Sequence, residues 1–402
     1  VRGRRHVTSP LLPLSSLPLS SLPLSASASL SLFSPPSRTQ RLFYAVIKRL
    51  VRVGSRVAFR GVEIRGMERV PWDEPCIVSP NHQNAFLDAL LIGAHAPTKM
   101  SYLSRSDIFG TRFDWVLKAL QMVPVYRRRD GYEKLALNER IFNMQRENLR
   151  QGKSLLIFSE AEHGLTYYLR PLSKGSARFA AKSQAVMADQ TVWLVPVGIN
   201  YYHHQRPGFK VSIVFGQPVP VSDYVESLAC GDADEASEDA SEDASTDPRR
   251  INDLRSDLAD AMKSCLLVPE LTPRYDEQVS HINRHTERLP FDELRAALSE
   301  DAQLPEKEPD RVGLDRLGHV VDLTSRIMRW VNDPVFALSL KFATGILVLP
   351  LWWTVLFLAG WSFSGWLTGI ALVAVAAVTL LIRRSLIRWS NPPHVLEQTE
   401  SA

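Results

Sequence analysis

The chain has 402 residues, of which 45% are hydrophobic and 22% charged, and its formal net charge is +4. This composition supports one or two buried cores and excludes a chain that is disordered throughout. Cys76, Cys230 and Cys265 lie far apart and form no Cys-x-x-Cys pair or Cys/His metal spacing. Neither a disulfide scaffold nor a zinc site is therefore expected, and a reducing compartment is favoured.

Residues 1–40 form a tract of Ser, Leu and Pro in which Ser-Leu-Pro-Leu occurs at 16–19 and again at 21–24. The prolines are too frequent for a helix or a membrane-spanning segment. We predict a disordered, low-complexity tail.

Residues 41–60 predict an amphipathic helix. On a helical wheel the apolar side chains share one arc, namely Phe43, Val46, Ile47, Leu50, Val53 and Val57. The basic side chains share the other arc, namely Arg41, Lys48, Arg49, Arg52 and Arg56. This pattern is typical of a helix that lies at the interface of an anionic bilayer. An ordinary helix that packs its apolar face on the domain is the alternative.

Residues 61–222 alternate short apolar runs with stretches of helical periodicity. The predicted strands are 76–79, 100–103, 122–126, 154–158, 192–199 and 211–215. The predicted helices are 85–93, 112–120, 132–150 and 174–185. Strands that alternate with helices in this way predict an α/β fold whose sheet is flanked by helices on both faces.

Two polar segments follow this region. Residues 223–249 are acidic and rich in Ser and Ala, which predicts a disordered, solvated insert. Residues 250–333 have helical character broken by prolines, and no chemistry is evident from their sequence. His281 and His285 lie four residues apart but have no third ligand, so we interpret them as surface histidines.

Residues 334–389 predict a transmembrane hairpin of two helices. No charged residue occurs between Lys341 and Arg383, and a span needs roughly 20 apolar residues, so two spans fit with a turn at 360–365. Basic residues lie at both ends of the pair, which predicts that both ends are cytoplasmic. Residues 390–402 are a short tail.

A histidine and a carboxylate, His82 and Asp88, follow the apolar run at 76–79. A histidine whose ring is held by a carboxylate can remove a proton from a hydroxyl group. The alternative is that His82 caps a turn and Asp88 is an ordinary surface carboxylate.

Further polar groups follow later strands. Arg127 and Arg128 end the run at 122–126, and guanidinium groups in this position suit a phosphate. Glu160 and His163 follow the run at 154–158, and Lys174 adds positive charge nearby.

The order of these segments resembles the phospholipid/glycerol acyltransferase family, which includes glycerol-3-phosphate and 1-acylglycerol-3-phosphate acyltransferases. The resemblance covers roughly residues 60–220. Four motifs of this chain are similar to motifs of the family. The family motifs are an Asn-His followed by Asp, a strand ending in Arg, a Phe-Pro-Glu-Gly segment and a late strand that contains Pro. The matching residues here are Asn81, His82 and Asp88, then Val125 to Arg128, Phe158 to Ala161, and Val195 to Val197.

The chain also departs from the family pattern. Five residues separate His82 from Asp88, where the family has four. Ser159 and Ala161 replace the family's Pro and Gly, and His163 stands where Arg is usual. Contact between Asp88 and the His82 ring is therefore an open question for the structure.

The resemblance implies an O-acyltransferase of phospholipid biosynthesis. His82 would be the base and Asp88 its orienting carboxylate, while Asn81, Arg127, Arg128, Glu160, His163 and Lys174 would bind substrate. It implies acyl-CoA or acyl-carrier protein as the thioester donor, a glycerol-3-phosphate or lysophospholipid acceptor, and contact with a lipid bilayer. No cofactor, metal or nucleic-acid partner is expected. With the hairpin, this predicts a multi-pass membrane protein whose catalytic domain faces the cytoplasm, as at a bacterial inner membrane.

Three other functions compete with this one. A lipid hydrolase needs a nucleophile, and the chain has no Gly-x-Ser-x-Gly motif. A membrane di-iron oxidase could use scattered histidines, namely His82, His95, His163, His203 and His204, although no repeated His-x-x-x-His motif is present. A membrane-tethered lipid-binding or scaffold protein with the same fold and impaired turnover is the non-enzymatic alternative.

Overall fold

A computed structural model describes residues 37–111, 114–187, 189–205, 207–225, 247–285, 290–299 and 333–375. The predictions made for most of the N-terminal tail, for 226–246 of the acidic insert, for the stretch 300–332 and for the tail 390–402 concern residues outside these ranges.

The described residues contain one eight-stranded mixed sheet. Its strands are β1 (Gly61–Arg65), β2 (Cys76–Pro80), β3 (Met100–Arg105), β4 (Met122–Val125), β5 (Ser154–Leu156), β6 (Trp193–Tyr201), β7 (Lys210–Phe215) and β8 (Val219–Pro220). The order is β1-β7-β6-β2-β5-β3-β4, and β8 pairs with β6. The strands β6, β2, β5, β3 and β4 run parallel to one another, whereas β7 is antiparallel to β6. All six predicted strands are present, and β1 and β8 were not predicted.

Helices cover both faces of this sheet. They are α1 (Arg38–Ala58), α2 (Ala85–His95), α3 (Asp114–Ala119), α4 (Tyr132–Arg150), α5 (Lys174–Ala185), α6 (Pro248–Lys263), α7 (Tyr275–His285), α8 (Phe291–Ala297) and α9 (Phe336–Ser364). Successive residues of β2 point to opposite faces, so Val78 packs with Leu91 of α2 while Ile77 packs in a second core with Leu254 of α6. The predicted α/β sheet flanked by helices is confirmed.

Helix α1 turns part of its basic arc toward the domain. Lys48 donates a hydrogen bond to the Ala96 carbonyl at 2.6 Å, and Arg52 donates one to the Ala94 carbonyl. These carbonyls lie at the C-terminal end of α2, where cationic groups are favourable. The apolar side chains Leu42, Val46, Val53 and Val57 are instead 47% to 66% exposed. A wheel identifies two arcs but not which one faces the protein, and here Lys48 and Arg52 of the basic arc bond to the domain.

The N-terminal end of α1 lies earlier than predicted. The helix begins at Arg38 rather than 41, because Ser37 caps it with both bonds of a capping box. Residues 38–40 therefore belong to the helix and not to the tail.

The region after the acidic insert belongs to the same fold. Helix α6 begins at Pro248, inside the predicted insert, and its Leu254 and Leu258 lie in the core beneath β2 and β6. Ile282 of α7 packs with Phe291 in a further core. His281 is only 4% exposed because α7 packs against this core, so its interpretation as a surface histidine is wrong.

Helix α9 coincides with the first arm of the predicted hairpin. It ends at Gly365, which has a positive φ of 97° that suits glycine, and residues 366–375 are again helical. A search of the described ranges found no helix both long enough and apolar enough to span a membrane. The predicted transmembrane hairpin is thus not confirmed, and its residues 376–389 lie outside the described part.

Candidate active site

The ends of three neighbouring parallel strands place polar side chains together. His82 follows β2, Glu160 follows β5, and Tyr201 ends β6. Because β5, β2 and β6 are adjacent and parallel, their carboxyl ends meet at one edge of the sheet, which is where α/β proteins bind ligands.

The contact between His82 and Asp88 is present despite the additional residue. Nδ1 of His82 lies 2.9 Å from Oδ2 of Asp88. The turn absorbs the fifth residue just before α2, where Asn84 has φ −135° and Ala85 has a positive φ of 42°. The longer spacing therefore changes the path of the turn and keeps the carboxylate on the ring.

Asp88 is fully buried and accepts four hydrogen bonds. Its Oδ2 accepts from His82 and from the backbone N–H groups of Gln83 and Asn84, at 2.8 and 2.7 Å, while Oδ1 accepts from the Tyr201 hydroxyl at 2.8 Å. A carboxylate so supplied with donors acts as an acceptor toward His82, so Nδ1 carries the proton of the neutral ring. The lone pair of the neutral imidazole is then on Nε2.

The ring of His82 is held in place by aromatic contacts. It stacks on Phe158 with 3.6 Å between ring centroids and 13° between planes. His163 approaches its edge, with centroids 5.5 Å apart. Nε2 of His82 makes no hydrogen bond to any residue in the described ranges, and the side chain is 14% exposed. This nitrogen is therefore available to a bound hydroxyl group.

Glu160 forms an ion pair with Arg170 beneath His82. The guanidinium donates to Oε2 of Glu160 at 2.5 and 3.0 Å, and it also reaches the His82 carbonyl at 3.4 Å. Burial raises the pKa of Glu160, and Arg170 opposes that rise. The pair ties the loop after β5 to the backbone of the histidine.

His163 is an imidazole neighbour of His82. Burial lowers its pKa and the nearby His82 lowers it further, although Asp333 at 3.9 Å opposes the change. His163 therefore presents an uncharged imidazole where a cationic side chain was expected from the family pattern.

Residues 61–200 match the family model described as Acyltransferase. This part of the chain, about a third of its length, is therefore similar to the acyltransferase family. The resemblance drawn from the four motifs is thereby confirmed, and the match spans the strands that carry His82, Arg127 and Glu160.

The chain is 18% identical to the structure titled 1-acyl-sn-glycerophosphate (LPA) acyltransferase, PlsC, from Thermotoga maritima, with a TM-score of 0.39 over 60% of this chain and 86% of that one. No curated protein matches the sequence significantly.

The residues that depart from the acyltransferase pattern are accommodated locally. Ser159 is fully buried, and its hydroxyl lies 2.6 Å from that of Ser79 and 2.7 Å from that of Ser176. It thereby joins β2, the loop after β5 and α5. Ala161 has a positive φ of 63°, a conformation that suits the family's glycine better than alanine.

Asn81, predicted to bind substrate, lies inside the acyltransferase domain. Its Oδ1 accepts from the Ile199 N–H at 2.7 Å and its Nδ2 donates to the Ile199 carbonyl at 3.1 Å. The side chain continues the pairing of β2 with β6 by one position. These bonds attach the residue before His82 to β6, and Asn81 is 1% exposed.

The cationic residues predicted to bind substrate lie farther out. Arg127 follows the edge strand β4, three strand spacings or about 14 Å from β2. The backbone N–H of Arg127 is bonded to Asp130, and the side chain of Arg128 lies outside the described part. Lys174 is exposed at the first residue of α5. The structure brings together His82, Asp88, Glu160 and His163, and it leaves Arg127 and Lys174 at the periphery.

Several buried side chains that support the site were not identified as candidate residues from the sequence motifs. Tyr201 reaches Asp88, and buried His204 lies 3.0 Å from Oε1 of Gln83, whose amide in turn donates to the Thr166 carbonyl at 2.9 Å. Burial lowers the pKa of His204 to about 3, so its ring is neutral. For Tyr201 and His204, the only signal in the sequence was their position after the Pro-bearing segment Val195 to Val197.

The histidines considered as ligands of a di-iron site do not all lie in one place, although His82 and His163 are neighbours. His95 is bonded to the Leu91 carbonyl at the far end of α2, and His204 is bonded to Gln83. Within the described ranges, no three His, Cys, Asp or Glu side chains lie close enough to hold a metal ion.

Proposed function

We propose that this acyltransferase moves a fatty acyl group from a thioester donor to the hydroxyl group of a phosphate-bearing glycerolipid. The observation that carries the proposal is the 2.9 Å contact between His82 and the buried Asp88, which leaves Nε2 of the ring available. A histidine in this state is a general base for a hydroxyl group.

The chemistry requires no covalent enzyme intermediate. Nε2 of His82 removes the proton from the acceptor hydroxyl as its oxygen attacks the thioester carbonyl carbon. The tetrahedral intermediate collapses with cleavage of the C–S bond, and the thiolate takes the proton from the imidazolium. The carboxylate of Asp88 stabilises the imidazolium that exists between these steps.

The acceptor is proposed to lie along the carboxyl edge of the sheet. Its hydroxyl would meet His82 at β2, and its phosphate would lie toward Arg127 and Arg128 at the end of β4. Arginine suits a phosphate because its planar donors match the phosphate oxygens. Lys174 and the neutral His163 are proposed as secondary contacts. Glu160 is proposed to act through Arg170, with which it is already paired, rather than on the acceptor hydroxyl.

Contact with a lipid bilayer is part of the proposal. The exposed apolar side chains of α1 lie on one arc, with Arg49 and Arg56 beside them, a pattern that suits anionic lipid. Helix α9 packs against α1 and exposes further apolar side chains, among them Leu351 and Leu358. We place the catalytic domain on the cytoplasmic face, where acyl-CoA or acyl-carrier protein would supply the donor. Anchoring by the segment 334–389 remains a proposal.

A panel of acyl-transfer assays tests the function. Purified protein is given glycerol-3-phosphate, lysophosphatidate or a phosphate-free monoacylglycerol, each with acyl-CoA and with acyl-carrier protein. We expect product with a phosphate-bearing acceptor. Product only with the phosphate-free acceptor would contradict the role of the arginines. Lipid binding without any consumption of thioester would favour the scaffold alternative.

A further inference from the structure

The N-terminal end of α9 forms part of the catalytic surroundings, although it lies more than 130 residues beyond the family match. The ring of Phe336 meets His163 edge-on with centroids 5.5 Å apart, and Asp333 lies 3.9 Å from the same histidine. Leu338 and Phe342 are buried in the core with α1 and α2, which fixes the rotation of α9 about its axis.

This rotation places Ser339 on the turn between His82 and Asp88. Ser339 is fully buried, and its hydroxyl donates to the Asn84 carbonyl at 2.6 Å. The same oxygen accepts from the Leu87 N–H at 3.4 Å. Ser339, from a helix distant in sequence, thus contacts both Asn84 and Leu87. These two residues lie in the five-residue segment between His82 and Asp88, which is one residue longer than in the family.

The turn needs support from outside. Ala85 has a positive φ, which is unfavourable for a residue other than glycine. The carboxamide of Asn84 is buried and bonds to no residue in the described part of the chain. Backbone contacts therefore fix Asn84, whose carbonyl accepts from the Ser339 hydroxyl at 2.6 Å and from the Leu87 N–H at 2.9 Å.

We infer that Ser339 is a positioning residue for the base, acting through the backbone of Asn84 and the carboxylate of Asp88. Its hydroxyl fixes the Asn84 carbonyl, the Asn84 N–H fixes Oδ2 of Asp88 at 2.7 Å, and Oδ2 fixes Nδ1 of His82. The inference rests on the proposed function, because it assigns a role in the proton transfer. It also assigns the start of α9 a part in the active site that is independent of any role in the membrane.

The test compares Ser339→Ala with Ser339→Thr and with Ser362→Ala. Ser362 lies on the same helix, is exposed and bonds only to carbonyls of its own helix, so it controls for loss of a serine from α9. We expect Ser339→Ala to lower kcat by about 10-fold to 100-fold with little change in KM, because a small displacement of a catalytic group is costly. Thr keeps the hydroxyl and should restore most of the rate, and Ser362→Ala should match wild type.

A wild-type kcat in folded Ser339→Ala protein would overturn the inference, as would a loss that appears only in KM. If Ser339→Ala does not fold, Ser339→Cys decides the question, because the thiol fills a similar space but is a weaker donor. The inference then requires a reduced kcat at an unchanged Tm, and a wild-type kcat would overturn it.

A measurement without turnover separates this inference from the proposed function. The Nδ1–H proton of His82 should give a low-field NMR signal from its hydrogen bond to Asp88, assigned by its absence in His82→Gln. We expect this signal to weaken or to exchange faster in Ser339→Ala and to persist in Ser362→Ala. An unchanged signal in Ser339→Ala would overturn the inference even where wild type transfers no acyl group, whereas an inactive wild type with a changed signal would contradict only the proposed function.

Discussion

Polar side chains at the centre of the sheet and at its edge differ in the number of contacts that they make within the protein. At the end of β2, the carboxylate of Asp88 has four donors, and the His82 ring stacks on Phe158 and meets His163 edge-on. At the end of β4, the backbone N–H and carbonyl of Arg127 both bond to Asp130, and at the start of α5 Lys174 is exposed. The proposed proton-transfer side is preorganised without substrate, whereas the cationic groups of the proposed phosphate side have fewer contacts among the described residues.

This difference matches the demands of the two tasks. A general base contributes most when its geometry is fixed before reaction, because reorganisation then adds nothing to the barrier. A phosphate contributes its own charge and brings two or more acceptors to an arginine, so the cation can be ordered by the ligand. Substitutions at the centre should therefore affect kcat, and substitutions at the edge should affect KM.

The largest effect should come from the centre. We expect His82→Ala to lower kcat by about 10²-fold to 10⁴-fold, the usual contribution of a general base. The measurement is initial-rate kinetics with the best acceptor of the panel, with Tm as a test of folding. His95→Ala is the matched control, because His95 lies at the opposite end of α2 and contacts the Leu91 carbonyl. Equal rates for wild type and folded His82→Ala would refute the assignment of the base.

A smaller effect of a different kind should come from the edge. We expect Arg127→Ala to raise KM for a phosphate-bearing acceptor by about 10-fold to 100-fold, as loss of a charged hydrogen bond of about 1.5–3 kcal/mol implies. The value of kcat should change little, and KM for a phosphate-free acceptor should not change. Kinetics with both acceptors measures this, and Lys118→Ala, a basic residue on α3, is a control for loss of charge. A fall in kcat alone would show that the edge belongs to the preorganised side.

The layer behind the base should make stability depend on pH. The pKa of His204 is about 3 in the folded protein, against about 6.5 in the unfolded chain. Between these values the unfolded state binds more protons, so stability falls as pH decreases below about 6.5 and this contribution is complete above it. We expect a loss of about 2 kcal/mol at pH 5 relative to pH 8 from this group.

Urea unfolding at a series of pH values measures the effect. His204→Gln should remove most of this dependence, because glutamine retains a donor for Gln83 and does not titrate. His203→Gln is the neighbouring control and should keep the acid sensitivity. An unchanged pH dependence in His204→Gln would mean that His204 is solvated in the folded protein.

Much of the sheet and half of the site could be predicted from sequence. Apolar runs in the sequence correctly located six strands. His82 and Glu160 each come shortly after such a run, so the parallel pairing of those strands was enough to bring the two residues together. The wheel for residues 41–60 could not give the rotation of α1, because Lys48 and Arg52 have long apolar stems and reach carbonyls of α2 while half-buried.

The supporting contacts could not be predicted, because they join residues far apart in the chain. Tyr201 lies 113 positions from Asp88, and Ser339 lies 255 positions from Asn84. A lone tyrosine or serine carries no signal of such a partner. The motif spacing also left open whether the ring and the carboxylate meet, since only the backbone path at Ala85 decides it.

The smallest effect should come from Ala161, where a departure from the family pattern can be reversed. With φ at 63°, alanine is in the left-handed region, which costs about 1–2 kcal/mol for a residue with a Cβ. Glycine avoids this cost but loses more backbone entropy on folding, by about 0.5–1 kcal/mol. We therefore expect Ala161→Gly to stabilise the protein by up to about 1.5 kcal/mol with little change in kcat, measured by urea unfolding and initial rates. Ala177→Gly, inside α5, is the matched control and should be destabilising, because glycine is unfavourable in a helix. Destabilisation by Ala161→Gly would show that the alanine is held by packing, so that the loop after β5 is as fully determined as the turn between His82 and α2.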